Sequence, residues 1–157
     1  MEPMLAFKHC LNAPEDTLNL GRAALLIALE EYPDLDVDGY MQRLDMLAAR
    51  ARKRFTSRTS AQDAVQALNR TLFDEEGFAG NTTDYYDPRN SLLNEVLDRK
   101  LGIPITLSVV YLEVGGRLGL PLRASPSPDI FWSGCRKLLG IWYWIPSMAG
   151  SHYKKPS

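Results

Sequence analysis

The sequence is poor in the residues that build metal sites, disulfides and histidine-dependent catalysis. Its 157 residues contain two cysteines, Cys10 and Cys135, and two histidines, His9 and His152. These numbers and spacings do not match the four-ligand pattern of a structural zinc site or a disulfide framework. His9 and Cys10 are neighbours in the chain, but adjacency alone does not place two side chains in the geometry of a catalytic dyad. We therefore expect no metal and no other cofactor.

Long apolar runs and a charge excess are also missing. The formal net charge is −1, and no apolar stretch reaches the roughly 18 residues of a membrane-spanning helix. We expect neither a membrane nor a nucleic acid as partner. The basic run Arg50, Arg52, Lys53, Arg54 and Arg58 has a structural interpretation, because basic residues at a helix C-terminus complement its dipole.

The beginning of the sequence does not resemble a secretory signal. Glu2 and Pro3 stand where a signal would carry basic residues and then an apolar stretch. With few cysteines, this favours a cytoplasmic location. A hydrophobic content of 45% in 157 residues is enough for one domain with a real core.

Residues 1–74 show helical periodicity, and we predict a small helical bundle there. The first apolar stripe runs from Leu18 to Leu29 behind two candidate N-caps, Asp16 and Thr17. The second runs from Val37 to Ala51 in steps of three and four residues. The third helix is introduced by a candidate capping box, whose two residues are Ser60 and Asp63.

The pattern changes after residue 74. Residues 77–87 are rich in Gly, Asn, Thr, Asp and Tyr, which predicts a loop. Asn90 is then expected to cap a short helix that ends at Gly102. Pro104 suits the first position of a further helix, which is apolar around most of its circumference as far as Leu118. Residues 120–123 have the pattern of a beginning strand.

Several motifs between residues 80 and 121 carry a family resemblance. They are Gly80-Asn81, Asp84-Tyr85-Tyr86-Asp87-Pro88, Asn90-Ser91-Leu92-Leu93-Asn94-Glu95-Val96-Leu97, Arg99, Gly102-Ile103-Pro104-Ile105-Thr106-Leu107-Ser108, Tyr111-Leu112-Glu113 and Leu118-Gly119-Leu120-Pro121. Together they resemble the SirB-type bacterial transglutaminase-like family. The distinctive part covers residues 75–123, and the helices before it fit the same family. Members typically continue into tetratricopeptide repeats.

The resemblance implies an α+β fold related to papain, in which a catalytic cysteine sits at the N-terminus of the central helix. Counting back from the family's closing Leu-Gly-Leu-Pro places that cysteine on Pro104. Proline has no nucleophile, so the resemblance implies no catalytic residue. Thr106 and Ser108 are the nearest hydroxyls, but each would need an adjacent base. A hydrolase or acyltransferase using one of them is the rival hypothesis, and a damaged, non-functional gene product is a third.

The leading hypothesis is a non-catalytic domain whose former active-site cleft binds a peptide or protein partner. The resemblance assigns that cleft the residues Asp84, Tyr85, Asn90, Asn94, Glu95 and Arg99. For residues 84–87 the alternative is a simple turn with Asx caps, and the sequence favours neither interpretation.

Composition changes sharply after Arg123. Residues 1–123 hold 14 Lys/Arg against 18 Asp/Glu, whereas residues 124–157 hold four against one and include all three tryptophans. The family motifs Gly-Val-x-x-Pro-Gly-His-Phe-Leu-Val and Asp-Pro-Phe do not appear there. We therefore divide the chain into a helical part (1–74), the start of a transglutaminase-like core (75–123) and a tail (124–157).

The genetic code offers an explanation for the tail. If each codon is taken one base earlier, residues 123–133 permit Gly-Ile-Ala-Leu-Pro-Gly-His-Phe-Leu-Val. In the same frame, the junctions across residues 142–145 force Val, Leu and Asp, and then permit Pro and Phe. We predict that residues 124–157 are translated out of frame, so that the β-sheet of the family fold is largely missing. The alternative is a genuine, divergent C-terminus.

Overall fold

In the computed structural model, residues 3–12 and 18–122 are described. The helices are α1 (Pro3–Leu11), α2 (Leu20–Ala28), α3 (Val37–Arg52), α4 (Ala61–Asn69), α5 (Leu93–Arg99) and α6 (Pro104–Arg117). A π-helix, Arg70–Glu75, continues directly from α4, and a 3₁₀-helix, Pro88–Ser91, precedes α5. Two short strands, β1 (Ala79–Gly80) and β2 (Leu101–Gly102), complete these segments.

The predicted helix starts depend on local capping signals, and those of α4 and α6 are confirmed. Ser60 and Asp63 form a reciprocal capping box at the start of α4, since each side chain accepts a backbone N–H of the other. Pro104 is the first residue of α6. The predicted caps of α2 were wrong. Asn19 fills that role by accepting the backbone N–H of Arg22, and Asp16 and Thr17 lie outside the described residues.

One core joins α2 to α6. Leu25 of α2, Leu44 of α3 and Leu68 of α4 are fully buried, and Val96 of α5 and Val110 of α6 pack into the same cluster. Helix α6 packs against α2, α3, α4 and α5. The prediction of a helix covered on several sides is confirmed, although Ile105 in its first turn is 67% exposed.

The two strands pair in parallel, with Ala79 opposite Leu101 and Gly80 opposite Gly102. This pair holds residues 79–80, for which the sequence predicts a loop, against the segment just before α6. The expected end of α5 at Gly102 was also wrong. The helix ends at Lys100, which adopts the left-handed conformation with φ 61° and ψ 19°, and Gly102 lies in the strand.

The segment after α6 is not a strand over residues 120–122, contrary to prediction. Leu120 donates its backbone N–H to the carbonyl of Gly115 over 3.0 Å. A Cβ on Gly115 would lie 2.2 Å from Leu122 Cδ1, so a larger residue there would force the Leu122 side chain to move. The described residues are thus mostly helical with one two-stranded sheet. They contain no helix that is both long and apolar enough to cross a membrane.

Candidate functional site

Two buried asparagines connect the loop after β1 to the start of α6. Asn81 Nδ2 donates to Asn90 Oδ1 over 3.1 Å, and both residues are buried, Asn90 completely. Asn90 Nδ2 donates to the carbonyl oxygens of Asp84 (2.8 Å) and Tyr85 (3.1 Å), while Asn81 Oδ1 accepts the backbone N–H of Asp84. On the other side, Thr106 Oγ1 donates to the carbonyl of Asn90 over 2.6 Å. Paired buried amides of this kind hold a backbone in one conformation.

The loop that this pair holds is exposed. Residues 82–86 all face solvent; Tyr85 is 54% exposed and Tyr86 is 90% exposed. The two rings make an edge-to-face contact with centroids 5.4 Å apart. We call residues 82–86 the tyrosine loop. An exposed aromatic pair on a fixed backbone differs from a single scattered surface apolar residue, because tyrosine is enriched among the residues that dominate binding interfaces.

A charged cluster follows the tyrosine loop. Asp87 accepts hydrogen bonds from the Arg89 side chain and backbone, and its Oδ2 lies 3.3 Å from Arg99 Nη2. The Arg89 hydrogen bonds hold the pKa of the Asp87 carboxyl below its usual range. Asp87 also precedes the 3₁₀-helix as its N-cap. Arg99, one of the expected cleft residues, is therefore placed beside the loop.

Two other expected cleft residues lie on α5. Asn94 is 3% exposed, and its Oδ1 has no hydrogen-bond partner within the described residues. Glu95 accepts a 2.7 Å hydrogen bond from the Tyr32 hydroxyl, which raises the pKa of that phenol. Arg99 Nη1 is also buried and has no hydrogen-bond partner within the described residues.

The residues at the expected nucleophile position have structural roles. The Thr106 hydroxyl is buried and lies 3.1 Å from the carbonyl of Ile103 as well as close to that of Asn90. Ser108 Oγ donates to the carbonyl of Pro104, one turn earlier in α6, over 2.7 Å. Of the two histidines, His9 lies on α1, and His152 lies outside the described residues.

The structure corrects the role of Asn90 and adds Asn81 to the site. Asn90 does not cap α5; it lies in the 3₁₀-helix, and Leu92 stands at the N-cap position without a side-chain hydrogen bond. Asn81 was not expected at the site, although it belongs to the quoted motifs, whereas Tyr86 lies in the segment 84–87 for which a cleft and a simple turn were both open. Only the three-dimensional contact shows that Asn81 faces Asn90 and that Tyr86 is exposed.

Metal binding gains no support from the geometry. Within residues 3–12 and 18–122, no three side chains of the His, Cys, Asp or Glu type lie close enough together to hold an ion. Cys135 and His152 fall outside that part of the chain.

Comparison with known proteins places the chain in a family. The profile of the transglutaminase-like superfamily matches residues 38–139. A UPF0162 protein of Xylella fastidiosa is 43% identical over 117 residues, which cover 74% of this chain and 42% of the relative. A UPF0162 protein of Pseudomonas aeruginosa is 34% identical over 131 residues, covering 83% of this chain and 47% of the relative.

A shorter match links the chain to a eukaryotic protein. F-box only protein 21 of the mouse is 42% identical over 67 residues, which cover 43% of this chain and 11% of that protein. No solved structure matches the chain. The chain spans less than half the length of the two UPF0162 relatives. The transglutaminase-like part of the expected resemblance is thereby confirmed, and the chain belongs to the transglutaminase-like superfamily.

Proposed function

We propose that this domain is a non-catalytic binding module that holds a peptide or protein partner against the tyrosine loop. The observation that carries the proposal is the combination of an exposed Tyr85–Tyr86 pair with a fully buried Asn90 that fixes its backbone. Because the loop is held before a partner arrives, binding costs little ordering entropy. Rigid tyrosines supply a large contact area at low entropic cost.

Under this proposal the expected cleft residues divide into two groups. Asp84 and Tyr85 are exposed and would contact the partner, together with Tyr86. Asn90 is buried and would position the loop, whereas Asn94 is buried on α5 and its Oδ1 has no hydrogen-bond partner in the described residues. Glu95 and Arg99 are partly exposed and engage Tyr32 and Asp87, so they would define the edge of the surface.

The chemistry at the start of α6 supports binding over catalysis. Pro104 supplies no nucleophile, and the buried Thr106 hydroxyl hydrogen-bonds a backbone carbonyl. A catalytic hydroxyl needs a general base to take its proton, and a carbonyl oxygen cannot do that. The rival is a hydrolase or acyltransferase using Thr106 or Ser108.

A peptide array probed with the purified protein tests the proposal. The variant Tyr85→Ser/Tyr86→Ser should lose binding to the selected peptides, because both exposed rings are removed. Ile27→Ser is the matched control, since Ile27 is also a large exposed apolar residue, 49% accessible, but lies on α2. Equal binding by the wild type and the tyrosine variant would reject the tyrosine loop as the contact surface.

A second measurement separates binding from catalysis. A hydroxyl-directed covalent probe should label neither Thr106 nor Ser108. Labelling of either residue, or a turnover that disappears in Thr106→Ala or Ser108→Ala, would support the rival enzyme instead.

We further propose that the chain is a SirB-type cytoplasmic protein whose reading frame changes near residue 123. The support is the recovery of two family motifs in one alternative frame at their expected spacing. The superfamily match reaches residue 139, however, and so includes 16 residues of the tail, which counts against a break at that point. Resequencing the coding DNA around residue 123 decides between a missing base and a genuine C-terminus. A missing base would also raise the hypothesis of a damaged, non-functional gene product.

A further inference from the structure

A pocket of about 200 Å³ opens between α3, α5 and the end of the π-helix, and no residue of the tyrosine loop lines it. Its polar lining consists of three cationic side chains and one carboxylate: Arg43, Arg50, Lys100 and Glu76. The apolar lining is Met46, Leu47 and Leu97. Three cations in one small pocket are unusual in a chain whose first 123 residues carry an excess of four acidic groups.

Two unusual backbone features lie next to this pocket, a π-helix and a left-handed residue. Glu76 follows the π-helix Arg70–Glu75 and donates its backbone N–H to Thr71 over 3.0 Å, five residues back. Lys100 is the one non-glycine residue of the described part with a positive φ. π-turns and left-handed non-glycine residues concentrate at functional sites, where the surrounding structure maintains their strain.

The side chains of these two residues bind each other. Lys100 Nζ lies 3.0 Å from Glu76 Oε2, and Arg50 Nη1 contacts the other carboxylate oxygen, Oε1. The Glu76 carboxylate is thus held by one cation on each oxygen, and its side chain is only 12% exposed. Burial acts to raise the pKa of Glu76, but Lys100 and Arg50 outweigh it, so the pKa lies below its usual range.

The third cationic side chain lies beside these ion pairs. Arg43 donates Nη2 to the carbonyl of Leu97 over 2.8 Å and contacts the half-exposed Asp98 with Nη1. Lys100 Nζ also lies 4.5 Å from the centre of the Phe78 ring. These contacts hold the cationic groups at the pocket wall. The contacts named here use only some of their N–H donors, since an ammonium has three and a guanidinium has five.

Lysine is an unfavourable residue for the left-handed conformation of Lys100. A helix that ends with a left-handed residue usually has glycine there, because a Cβ is disfavoured in that conformation. Lysine is less favourable than glycine in this conformation, and its ammonium lies in the pocket beside Glu76. The strain is explained if the ammonium has a binding role.

We propose that this pocket binds a carboxylate group carried on a short apolar stem, and that the Glu76 side chain occupies the carboxylate position when no ligand is present. The ligand's two oxygens take the places of Glu76 Oε1 and Oε2 between Arg50 and Lys100. Arg43 supplies further positive charge, and the stem lies against Met46, Leu47 and Leu97. A carboxylate fits better than a phosphate because the arrangement already present is one cation for each of two oxygens.

The test titrates the purified protein with sodium butyrate and follows backbone amide resonances by NMR. Sodium chloride at equal ionic strength is the control for screening, and inorganic phosphate tests the preference for carboxylate. A short apolar peptide with a free or an amidated C-terminus distinguishes a peptide carboxylate from a small free acid. We expect saturable shifts at the lining residues with butyrate and weaker or no saturation with phosphate.

Variants of Glu76 and Lys100 should change the affinity for butyrate in opposite directions, which a purely structural ion cluster would not do. Glu76→Gln should bind butyrate about tenfold more tightly, because the internal competitor has lost its charge. Lys100→Asn should bind at least about tenfold more weakly while remaining folded, since asparagine tolerates the left-handed conformation. Arg50→Gln should weaken binding in the same direction, whereas Arg58→Gln, which changes an exposed arginine outside the pocket, should not.

Three results would overturn the proposal. The first is an absence of saturable shifts with butyrate in both the wild type and Glu76→Gln. The second is tighter binding of phosphate than of butyrate. The third is unchanged butyrate affinity in Lys100→Asn and Arg50→Gln. Because the tyrosine loop lies outside the pocket, Tyr85→Ser/Tyr86→Ser should leave butyrate binding unchanged, so this site and the proposed partner surface succeed or fail separately.

Discussion

The tyrosine loop and the basic pocket are both irregular regions of backbone, but different chemistry holds each of them. Neutral amides that are almost entirely buried, Asn81 and Asn90, hold the loop. Ion pairs between partly exposed side chains hold the pocket; the Arg50 side chain is 55% exposed. A buried amide that loses its partner pays its full desolvation cost, whereas a half-exposed charge regains water.

The tyrosine loop is therefore expected to be rigid, whereas the ion pairs of the pocket are expected to be replaceable. The loop can hardly move without leaving buried polar groups unpaired, so it suits a surface that meets its partner ready-made. The contacts of Glu76 with Arg50 and Lys100 can be replaced by another carboxylate at little net cost, because similar interactions are made before and after. A fixed platform and a displaceable internal ligand are therefore expected from the same small domain.

The largest predicted effect is at Asn90. Asn90→Ala removes the partner of Asn81 Nδ2 and leaves the carbonyls of Asp84 and Tyr85 without their donors. We expect a loss of about 3 kcal/mol in the free energy of unfolding, measured by urea denaturation. A loss below about 1 kcal/mol would show that the amide pair does not hold the loop.

A smaller effect is predicted for Thr106→Val, which keeps the side-chain shape and removes the hydroxyl that donates to Asn90. We expect a loss of about 1 kcal/mol in the same measurement. Ser108→Ala is the comparison on the same helix. A larger loss from Ser108→Ala than from Thr106→Val would mean that the link to Asn90 is not the important hydroxyl contact.

Asn94 provides a matched opposite to Asn90, since both are buried asparagines but Asn94 Oδ1 lacks a partner in the described residues. Asn94→Leu, which replaces the amide with an apolar group of similar size, should change stability by less than about 1 kcal/mol or increase it. A loss as large as that of Asn90→Ala would show that the Asn94 amide makes a stabilising contact that the described residues do not contain.

The smallest effects are predicted at the pocket. Arg50→Gln should cost about 0.5 kcal/mol or less, and the difference from wild type should shrink as salt is added. A loss of several kcal/mol that salt does not reduce would make the cluster a rigid structural element and remove the contrast with the loop.

Lowering the pH should reveal how much the charged Glu76 side chain contributes to the stability of the folded protein. Its pKa is lowered in the folded protein, so the contribution of the charged form is complete above the unfolded value of about 4.3 and is lost as pH falls through the folded pKa. Glu76→Gln should therefore flatten the acid side of the stability curve measured by thermal unfolding. A curve parallel to wild type down to low pH would contradict the lowered pKa.

Local signals account for the parts of the fold that the sequence predicted. The capping box of Ser60 and Asp63 and the position of Pro104 at the start of α6 depend on residues within one helical turn. The apolar stripe of α3 has a period that belongs to one helix and one buried face. Such features need no knowledge of the rest of the chain.

The missed features depend on distant contacts. The two residues of β1 are too short to show strand alternation, and they pair only because Leu101 and Gly102 lie beside them. Asn90 stands where a helix cap is expected, but its amide oxygen accepts a hydrogen bond from Asn81, nine residues earlier. Lys100 ends α5 where Gly102 seemed the better candidate, because the chain must turn into β2 before the glycine is reached.

The π-helix Arg70–Glu75 accommodates one residue more than an α-helix would use for the same turn, because the Glu76 N–H bonds the carbonyl of Thr71 five residues back instead of four. The extra residue is absorbed within the turn, so the direction of the chain after it is preserved. Deleting one residue from the π-helix should therefore let α4 continue as an ordinary α-helix while Glu76 still faces Arg50 and Lys100. Chains that are one residue shorter here should keep a carboxylate opposite Lys100 without the π-turn.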